Sequence, residues 1–469
     1  MNSVEDRVHA AMTAAGELAA EEIRTAPPLR LPPKPTAGPR RSPAPRRWVR
    51  WGAPLTAAAA VVALAISLVL VKGAQNEGVV SSHPTASAST VAPTGPGGVP
   101  RYYAALTQNE NGIVVGDSVT GKTLATFTPT APKSFKISFL SITAADDDLT
   151  FVVSAATYPA ASVKAPNGFE KATRTITWYV VRLNPGTAHP ASLALLPIKP
   201  QTVHGSGELV NTATAVSGSG QELAVTGFTA SGGLAVRVLS VATGRLLHEW
   251  TTNDPSLTLA DSYTKGLDGV SLTWIDADKV IAVNTQSATA PSKSKNPFLG
   301  FGSRNIVREL NVAGPSSGDL LADSKAVWDV QTWEYPATLL QACTGGRGGN
   351  QFISADGTAF GCAAVTGPGT DPNLSFLTYP LTTGPAVAKQ ARIDYQVTQM
   401  AKKGVSTQQA LWVSPSGDTV VGAWTTYAAG TLEDAPNGLH IGAMSNGKFT
   451  PLRFPPGFDR AAQVATITW

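Results

Sequence analysis

The stretch "QFISADGTAFGCAAV" at residues 351–365 places two apolar segments on either side of a short turn, 354–358. Apolar, β-prone runs joined by a small, Gly-containing turn predict a β-hairpin. Four other stretches repeat this arrangement, each with a small or acidic turn: "LSITAADDDLTFVVSA" (140–155), "SGSGQELAVTGF" (217–228), "LTWIDADKVIAV" (272–283) and "LWVSPSGDTVVGAW" (411–424). Hairpins of one kind therefore recur along the chain.

A second signal alternates with the first. It is a strand that ends in a Gly-containing turn, and its six copies centre on Gly121, Gly186, Gly244, Gly314, Gly384 and Gly447. The period is about 65 residues, whereas a four-stranded propeller blade needs about 40–50. Long loops at 157–174 and 287–305 account for part of the surplus. The pattern predicts an all-β propeller of six blades, with seven as the alternative.

The unequal number of the two signals indicates how the ring closes. The chain ends in "QVATITW" (463–469), which matches the strand before the turn in "SLTWIDADK" (271–279), while the first blade, 101–128, begins with the later strands. We expect the final strand to complete that blade and remove the exposed sheet edges. Its residues are Val464, Thr466 and Trp469.

The turns also carry a resemblance. "SADGTAF" (354–360) and "SPSGDTV" (414–420) resemble the S-x-D-G turns of TolB-type and WD-like β-propellers, and "GDSVTGKTLATF" (116–127) is similar to a related repeat with a T-G turn. The resemblance extends over most of the chain after residue 100. It implies the same propeller fold.

Residues 51–72 contain no charge until Lys72 and are long enough for a transmembrane helix of roughly 30 Å. The residues that flank the membrane are Arg40, Arg41, Arg46, Arg47, Trp48, Arg50, Trp51 and Lys72. Because the arginines precede the segment, the positive-inside rule predicts a cytoplasmic N-terminus and an exterior remainder. A cleaved export signal and a buried core helix are the alternatives.

All of the net charge of +4 lies in residues 1–52, which leaves 27 basic and 27 acidic residues in the rest of the chain. The large exterior part therefore has no basic excess that would indicate nucleic-acid binding. Five regions are predicted: a cytoplasmic helix (1–25), a Pro- and Arg-rich spacer (26–50), the transmembrane helix (51–72), a flexible stalk (73–99) and the propeller (100–469).

This layout resembles that of membrane-bound regulators of sigma factors. The resemblance implies that the helix at 1–25 docks on a cytoplasmic regulator such as a sigma factor, and a solvated tail is the alternative. The only cysteines, Cys343 and Cys362, both follow the predicted membrane segment. An even pair in an oxidising compartment predicts a disulfide, with two buried thiols as the alternative.

The sequence predicts no catalytic, metal-binding or cofactor-binding residue. "GPSSG" (314–318) matches a nucleophile elbow in form, but the repeat predicts a plain turn there. The six histidines have no metal-ligand spacing. Asp146, Asp147 and Asp148 are interpreted as a solvated turn, and attraction of a cation is the alternative.

We therefore expect a non-enzymatic, membrane-anchored propeller that binds an exterior protein, peptide or cell-wall ligand. Its ligand-bound or free state would be relayed to the cytoplasmic residues 1–50. An exterior enzyme or a passive envelope scaffold are the alternatives. An enzyme would require Asp, Glu or His side chains that converge at the channel mouth.

Overall fold

The computed structural model describes residues 94–469 apart from 108–109, 132–133, 160–172, 188–189, 205–211, 259–265, 290–301, 315, 332–350, 367–372, 382–391, 398–404, 415, 427–437 and 459–461. The predicted cytoplasmic helix, spacer, membrane-flanking residues and transmembrane helix lie outside these ranges, as does the stalk up to residue 93. Within them, no helix has both the length and the apolar character needed to cross a bilayer.

The described strands form six antiparallel sheets, which we number as blades 1–6. From the centre outward, blade 1 contains β25 (Ala462–Thr468), β1 (Tyr102–Thr107), β2 (Ile113–Asp117) and β3 (Lys122–Phe127). Blade 2 contains β4 (Phe135–Ala144), β5 (Thr150–Pro159), β6 (Thr173–Leu183) and β7 (Ala191–Leu195), with β8 (Gln201–His204) also paired to β6. Blade 3 contains β9 (Thr214–Val216), β10 (Glu222–Phe228), β11 (Leu234–Ser240) and β12 (Leu246–Thr251).

The other three blades follow the same order. Blade 4 contains β13 (Gly266–Ile275), β14 (Val280–Thr289), β15 (Gly302–Asn311) and β16 (Ser324–Gln331). Blade 5 contains β17 (Gln351–Ile353), β18 (Ala359–Thr366), β19 (Asn373–Pro380) and β20 (Arg392–Val397). Blade 6 contains β21 (Val405–Val413), β22 (Val420–Thr426), β23 (Gly438–Ser445) and β24 (Lys448–Pro451). Two short 3₁₀ turns occur at Pro96–Gly98 and Pro255–Leu257.

Six clusters of buried side chains hold the blades together, one between each pair of neighbours. The cluster between blades 6 and 1 contains Tyr103, Ile467 and Trp469 from blade 1 with Val421 and Ile441 from blade 6. Each fully buried large apolar side chain contributes roughly 1.5–3 kcal/mol. Because every blade packs on two others, the sheets form a closed ring, and the prediction of a six-bladed propeller is confirmed.

The last strand of the chain lies in the first blade. β25, which contains Val464 and Thr466, pairs with β1 through Ala104 opposite Thr468 and Ala105 opposite Ile467. Trp469 follows the strand and is buried. Strand pairing between the two ends of the chain leaves β1 with a neighbour on both sides, and β25 takes the innermost position that blade 1 would otherwise lack.

Each of the two sequence signals occupies a fixed place in the blade. The five small or acidic turns join the innermost strand to the second strand, and we call them the inner turns: 145–149, 217–221, 276–279, 354–358 and 414–419. Five of the Gly-containing turns lie between the third and fourth strands of their blades, and Gly384 lies outside the described residues. Gly121 and Gly244, for example, have φ of 73° and 68°, which costs other residues about 1–2 kcal/mol.

Of the two cysteines, Cys362 lies on β18 and is fully buried. Cys343 lies outside the described residues, so the predicted Cys343–Cys362 disulfide stays a prediction.

Candidate functional site

A cavity of about 420 Å³ lies at the mouth of the central channel, where the innermost strands pass into the inner turns. Every blade contributes to its wall at the end of its innermost strand. One lining residue from each of blades 1–6 is Trp469, Thr143, Val216, Trp274, Ile353 and Trp412. A site built from all six blades is held rigidly, because each wall belongs to a packed sheet.

Three aspartates line this mouth cavity. Asp146 and Asp148 belong to the inner turn of blade 2, and Asp278 belongs to that of blade 4. Among the described residues of the cavity wall there is no Lys, Arg or His. The mouth therefore carries negative charge without a counter-charge in its own wall.

The backbone of the blade 2 turn is fixed by the aspartate that does not line the cavity. Asp147 accepts hydrogen bonds from the backbone N–H of Leu149 at 2.9 Å and of Thr150 at 2.8 Å, and from the Thr150 hydroxyl at 2.7 Å. Such a bond from a turn aspartate to the backbone two or three residues later is an Asx turn. Asp147 thus holds the loop, and Asp146 and Asp148 on either side of it line the cavity.

Asp278 connects blade 4 to blade 3. Its carboxylate accepts hydrogen bonds from the backbone N–H of Gly218 at 2.5 Å and of Ser219 at 2.8 Å. The backbone N–H of Asp146 donates to the carbonyl oxygen of Gly218 at 2.9 Å. A Cβ at Gly218 would overlap the Asp146 carboxylate. Gly218 therefore allows two carboxylates from different blades to lie close to its backbone.

Asp148 lacks the partners that its neighbours have. It is only 9% exposed, and within the described part of the chain no group donates a hydrogen bond to its carboxylate. Burial raises the pKa of Asp148 to about 7, and the negative charges of Asp147 and Asp146 add to the shift. Neither carboxylate oxygen is cut off from solvent, because Asp148 lines the cavity, and a ligand in the mouth would therefore reach this carboxylate.

Asp146 is accessible to the water of the cavity, yet partial loss of that water raises the pKa of its carboxyl. The charge of Asp278 raises the pKa of Asp146 further, and Asp147 adds a smaller effect. The aspartates of blades 2 and 4 thus repel one another across Gly218. A positively charged group placed between them would reduce this repulsion.

Three tryptophans also line the mouth cavity: Trp274, Trp412 and Trp469. The Trp274 indole N–H donates to the carbonyl oxygen of Ala215 at 2.9 Å, which fixes this ring between blades 3 and 4. Trp469 is buried, and its Nε1 has no hydrogen-bond partner among the described residues. Trp412 is half-buried. Indole rings beside carboxylates suit a ligand that is partly apolar and positively charged.

The chain segment that leads into the propeller also contacts the cavity. Thr94, Gly98 and Pro100 line it, and Thr94 and Pro100 form an isolated β-bridge. The backbone N–H of Gly95 donates to Val99 at 2.6 Å, which closes the loop between them. The end of the predicted stalk therefore forms part of the cavity wall.

The structure confirms the sequence interpretation of the acidic triplet in part. Asp146 and Asp147 are exposed in a turn, as the sequence predicts, but Asp148 is buried, and Asp146 and Asp148 line a cavity. The usable signal was the repeat itself. Inner turns of different blades meet at one end of the ring, so acidic residues in two such turns, 145–149 and 276–279, are brought together.

The other motifs have structural roles. In "GPSSG", the Ser317 hydroxyl donates to Asp323 at 2.8 Å within a turn between β15 and β16. His248 stacks on Trp250, and His440 stacks on Trp424. Across the described ranges, no three His, Cys, Asp or Glu side chains are arranged to hold a metal ion.

No family model matches the chain. No curated protein matches it at a significant level. Among solved structures it is similar to a TolB protein from Agrobacterium tumefaciens, at 12% identity over 75% of this chain and 88% of that chain, with a TM-score of 0.31. It is also similar to a puromycin-hydrolysing peptidase from Mycobacterium tuberculosis, at 15% identity over 76% and 45% of the two chains, with a TM-score of 0.32.

A third similar structure is the haemagglutinin-neuraminidase of Parainfluenza Virus 5, at 8% identity over 69% of this chain and 80% of that chain, with a TM-score of 0.35. At these TM-scores the similarities carry no functional argument. The fold assignment rests on the strand pairing and the six interfaces of this chain.

Proposed function

We propose that this protein is a non-enzymatic, membrane-anchored propeller that binds an exterior ligand in the mouth cavity. The observation that carries the proposal is the cavity itself, which takes a wall from every blade and contains a mostly buried carboxylate, Asp148, that has no donor among the described residues. A volume of about 420 Å³ lies within the usual range for ligand sites. The ligand is a protein, a peptide or a cell-wall component.

The location and the relay rest on the sequence. The apolar segment 51–72, preceded by arginines, favours one membrane crossing with the propeller outside. Because Thr94, Gly98 and Pro100 line the cavity, ligand binding would alter the environment of the stalk that leads back to this segment. This contact supports a relay from the mouth, through the stalk, to the cytoplasmic helix at 1–25 and a regulator such as a sigma factor.

The disulfide belongs to the same proposal. An exterior compartment is oxidising, which favours a Cys343–Cys362 bond. On a chain-entropy estimate, closing a loop of this size contributes roughly 3 kcal/mol.

An exterior enzyme is the second candidate, and one observation favours it. Carboxylates do converge at the channel mouth, and the pKa of Asp148 is raised to about 7. A carboxyl group that holds its proton near neutral pH can act as a general acid beside an ionised one. If the protein is an enzyme, the bound ligand should be converted to a product, and Asp148→Asn should abolish turnover while Asp276→Asn retains it.

Native mass spectrometry of the full-length protein, extracted in detergent from its source cells, tests ligand binding at the mouth. The variant Thr273→Trp fills the cavity, because Thr273 lines it. The matched control, Thr126→Trp, adds the same ring at an exposed position on the outer strand β3. We expect wild type and Thr126→Trp to retain a non-covalent ligand and Thr273→Trp to lose it. Equal retention by all three proteins would refute binding at the mouth.

A protease experiment tests the location. Trypsin added to intact cells should degrade the region after Lys72 and leave residues 1–50 protected. Protection of the propeller until the cells are lysed would contradict an exterior location.

A further inference from the structure

We infer that the mouth cavity selects an organic cation, a primary ammonium or guanidinium group, and that Asp146, Asp148 and Asp278 provide its counter-charges. This inference rests on the proposed function, because it names the chemistry of the ligand at the same site. The preferred source is a lysine or arginine side chain of a peptide or protein partner.

The charge of the cavity wall favours a cation. The described wall of the cavity contains three carboxylates and no basic side chain. Charges in a cleft with low-dielectric walls act more strongly than at an open surface. A cation in the mouth would be attracted by all three aspartates at once, whereas an anion would be repelled by all three.

The carboxylate of Asp148 is able to accept hydrogen bonds from a ligand in the cavity. An ionised carboxylate only accepts hydrogen bonds, and Asp148, which is 9% exposed, receives none from the described residues while its oxygens keep contact with the cavity. In other inner turns, both oxygens of Asp147 and one oxygen of Asp356 accept hydrogen bonds from nearby N–H or O–H groups. An ammonium carries three donors and a guanidinium carries five. Either one would satisfy Asp148.

Three tryptophan residues of the cavity wall also favour a cation. Trp274, Trp412 and Trp469 all line the cavity. Indole is the strongest aromatic partner for a cation, worth about 0.5–2 kcal/mol depending on how far the pair is removed from water. The same rings accommodate the methylene stem of a lysine or arginine.

The arrangement suits an organic cation better than a metal ion. Within the described part of the chain, no three acidic, His or Cys side chains are grouped as metal ligands. Both carboxylate oxygens of Asp278 already accept hydrogen bonds from the backbone N–H groups of Gly218 and Ser219. Asp278 therefore contributes negative charge to the cavity but is not positioned to bind a metal ion directly. A large organic cation tolerates carboxylates that are spread around a cavity, whereas a small metal ion requires them at close range.

Calorimetric titration of the full-length protein in detergent tests the inference. The probe is lysine blocked at both ends as N-acetyl and N-methylamide, and its neutral match is the norleucine compound blocked in the same way. We expect the lysine probe to bind at least tenfold more tightly than the norleucine probe. Free 1,5-diaminopentane distinguishes the two sources of the cation: weaker binding of the diamine than of the blocked lysine would support a peptide side chain.

The variants Asp148→Asn and Asp276→Asn form a matched pair. Both residues lie in inner turns at positive φ, 54° and 51°, which asparagine tolerates. Only Asp148 lines the cavity. We expect Asp148→Asn to weaken binding of the lysine probe at least tenfold and Asp276→Asn to change it less than twofold.

Equal affinity for the lysine and norleucine probes, or unchanged affinity in Asp148→Asn, would overturn the inference. Calcium chloride that binds the wild type and displaces the lysine probe would also overturn it in favour of a metal site. These outcomes differ from failure of the proposed function. If Thr273→Trp loses the native ligand while charge at the mouth has no effect, the mouth is a ligand site but its ligand is not a cation.

Discussion

The inner turns of blades 2 and 5 have the same architecture and different chemistry. In "ADDDL" (145–149) and "SADGT" (354–358), the middle aspartate makes the bonds that hold the turn: Asp147 to the N–H of Leu149 at 2.9 Å, and Asp356 to the N–H of Thr358 at 2.9 Å. The next residue has positive φ in both, 54° at Asp148 and 71° at Gly357. Blade 5 uses glycine there, and blade 2 uses a carboxylate.

The fold requires a positive φ at this turn position, which glycine satisfies in blade 5. The carboxylate at the same position in blade 2 is an additional feature, and it lines the cavity. A left-handed backbone favours glycine. Most other residues cost about 1–2 kcal/mol at such a position, and aspartate and asparagine cost less. Blade 4 departs further from that rule, because Asp276, Ala277 and Asp278 are all left-handed, with φ of 51°, 49° and 69°. Strained backbone of this kind concentrates at functional sites. The strain in blades 2 and 4 coincides with the aspartates that line the mouth.

The inner turns of different blades meet at one channel only because the ring of blades is closed. Deleting residues 463–469 removes most of β25 and the buried Ile467 and Trp469. We expect this largest effect to be a loss of stability on the order of 5 kcal/mol or more, since removing one buried Trp alone costs about 3–5 kcal/mol. Urea unfolding followed by tryptophan fluorescence measures it.

The matched control for the deletion replaces 463–469 with a Gly/Ser segment of equal length, which should be equally destabilised. Unchanged unfolding of either variant would contradict closure by this strand.

A reciprocal exchange tests the inner turns directly. We expect Asp148→Gly to stabilise the protein by about 1 kcal/mol, because it relieves a left-handed non-glycine residue and a buried charge. Gly357→Asp should destabilise it by about 2 kcal/mol, because the new Cβ would lie 2.9 Å from Ile275 Cδ1 in addition to the backbone cost.

The control for the exchange is Gly232→Asp, at φ 81° with nothing within 4 Å of a new Cβ, which isolates the backbone cost. Urea midpoints of the three variants provide the measurement. If Asp148→Gly destabilises the protein, Asp148 makes an internal contribution that this comparison omits.

The smallest expected effect is on pH dependence. The pKa of Asp148 is about 7 in the folded protein and 3.8 as the ordinary value, so the folded state holds this proton more tightly than the unfolded chain. Its contribution to stability is complete below pH 3.8 and is lost as the pH rises through 7. Relative to wild type, Asp148→Asn should therefore gain stability between pH 4 and pH 8, on the order of 1 kcal/mol after solvent screening.

Melting temperatures of wild type, Asp148→Asn and the control Asp276→Asn across this range check the prediction. A gap between wild type and Asp148→Asn that is the same at pH 4 and pH 8 would show that Asp148 is not titrating in this window.

Much of the fold could be predicted from sequence because its signals are local. The turn "SADGT" and the glycine turns at Gly121 and Gly244 fix backbone geometry with their own residues, so their alternation predicted six blades. The mouth cavity could not be predicted in the same way. Asp146 and Asp278 are far apart in sequence, and their proximity depends on Gly218 in a third blade. Burial of Asp148 likewise depends on its packing in the ring and not on its neighbours in the chain.

The most direct test of the central claim is an experimental structure of the full-length protein with the blocked lysine probe at saturating concentration. We predict non-protein density in the mouth, between Thr143, Trp274 and Trp412, with the ammonium group beside Asp148. An empty mouth, with the probe bound elsewhere on the protein, would contradict the account.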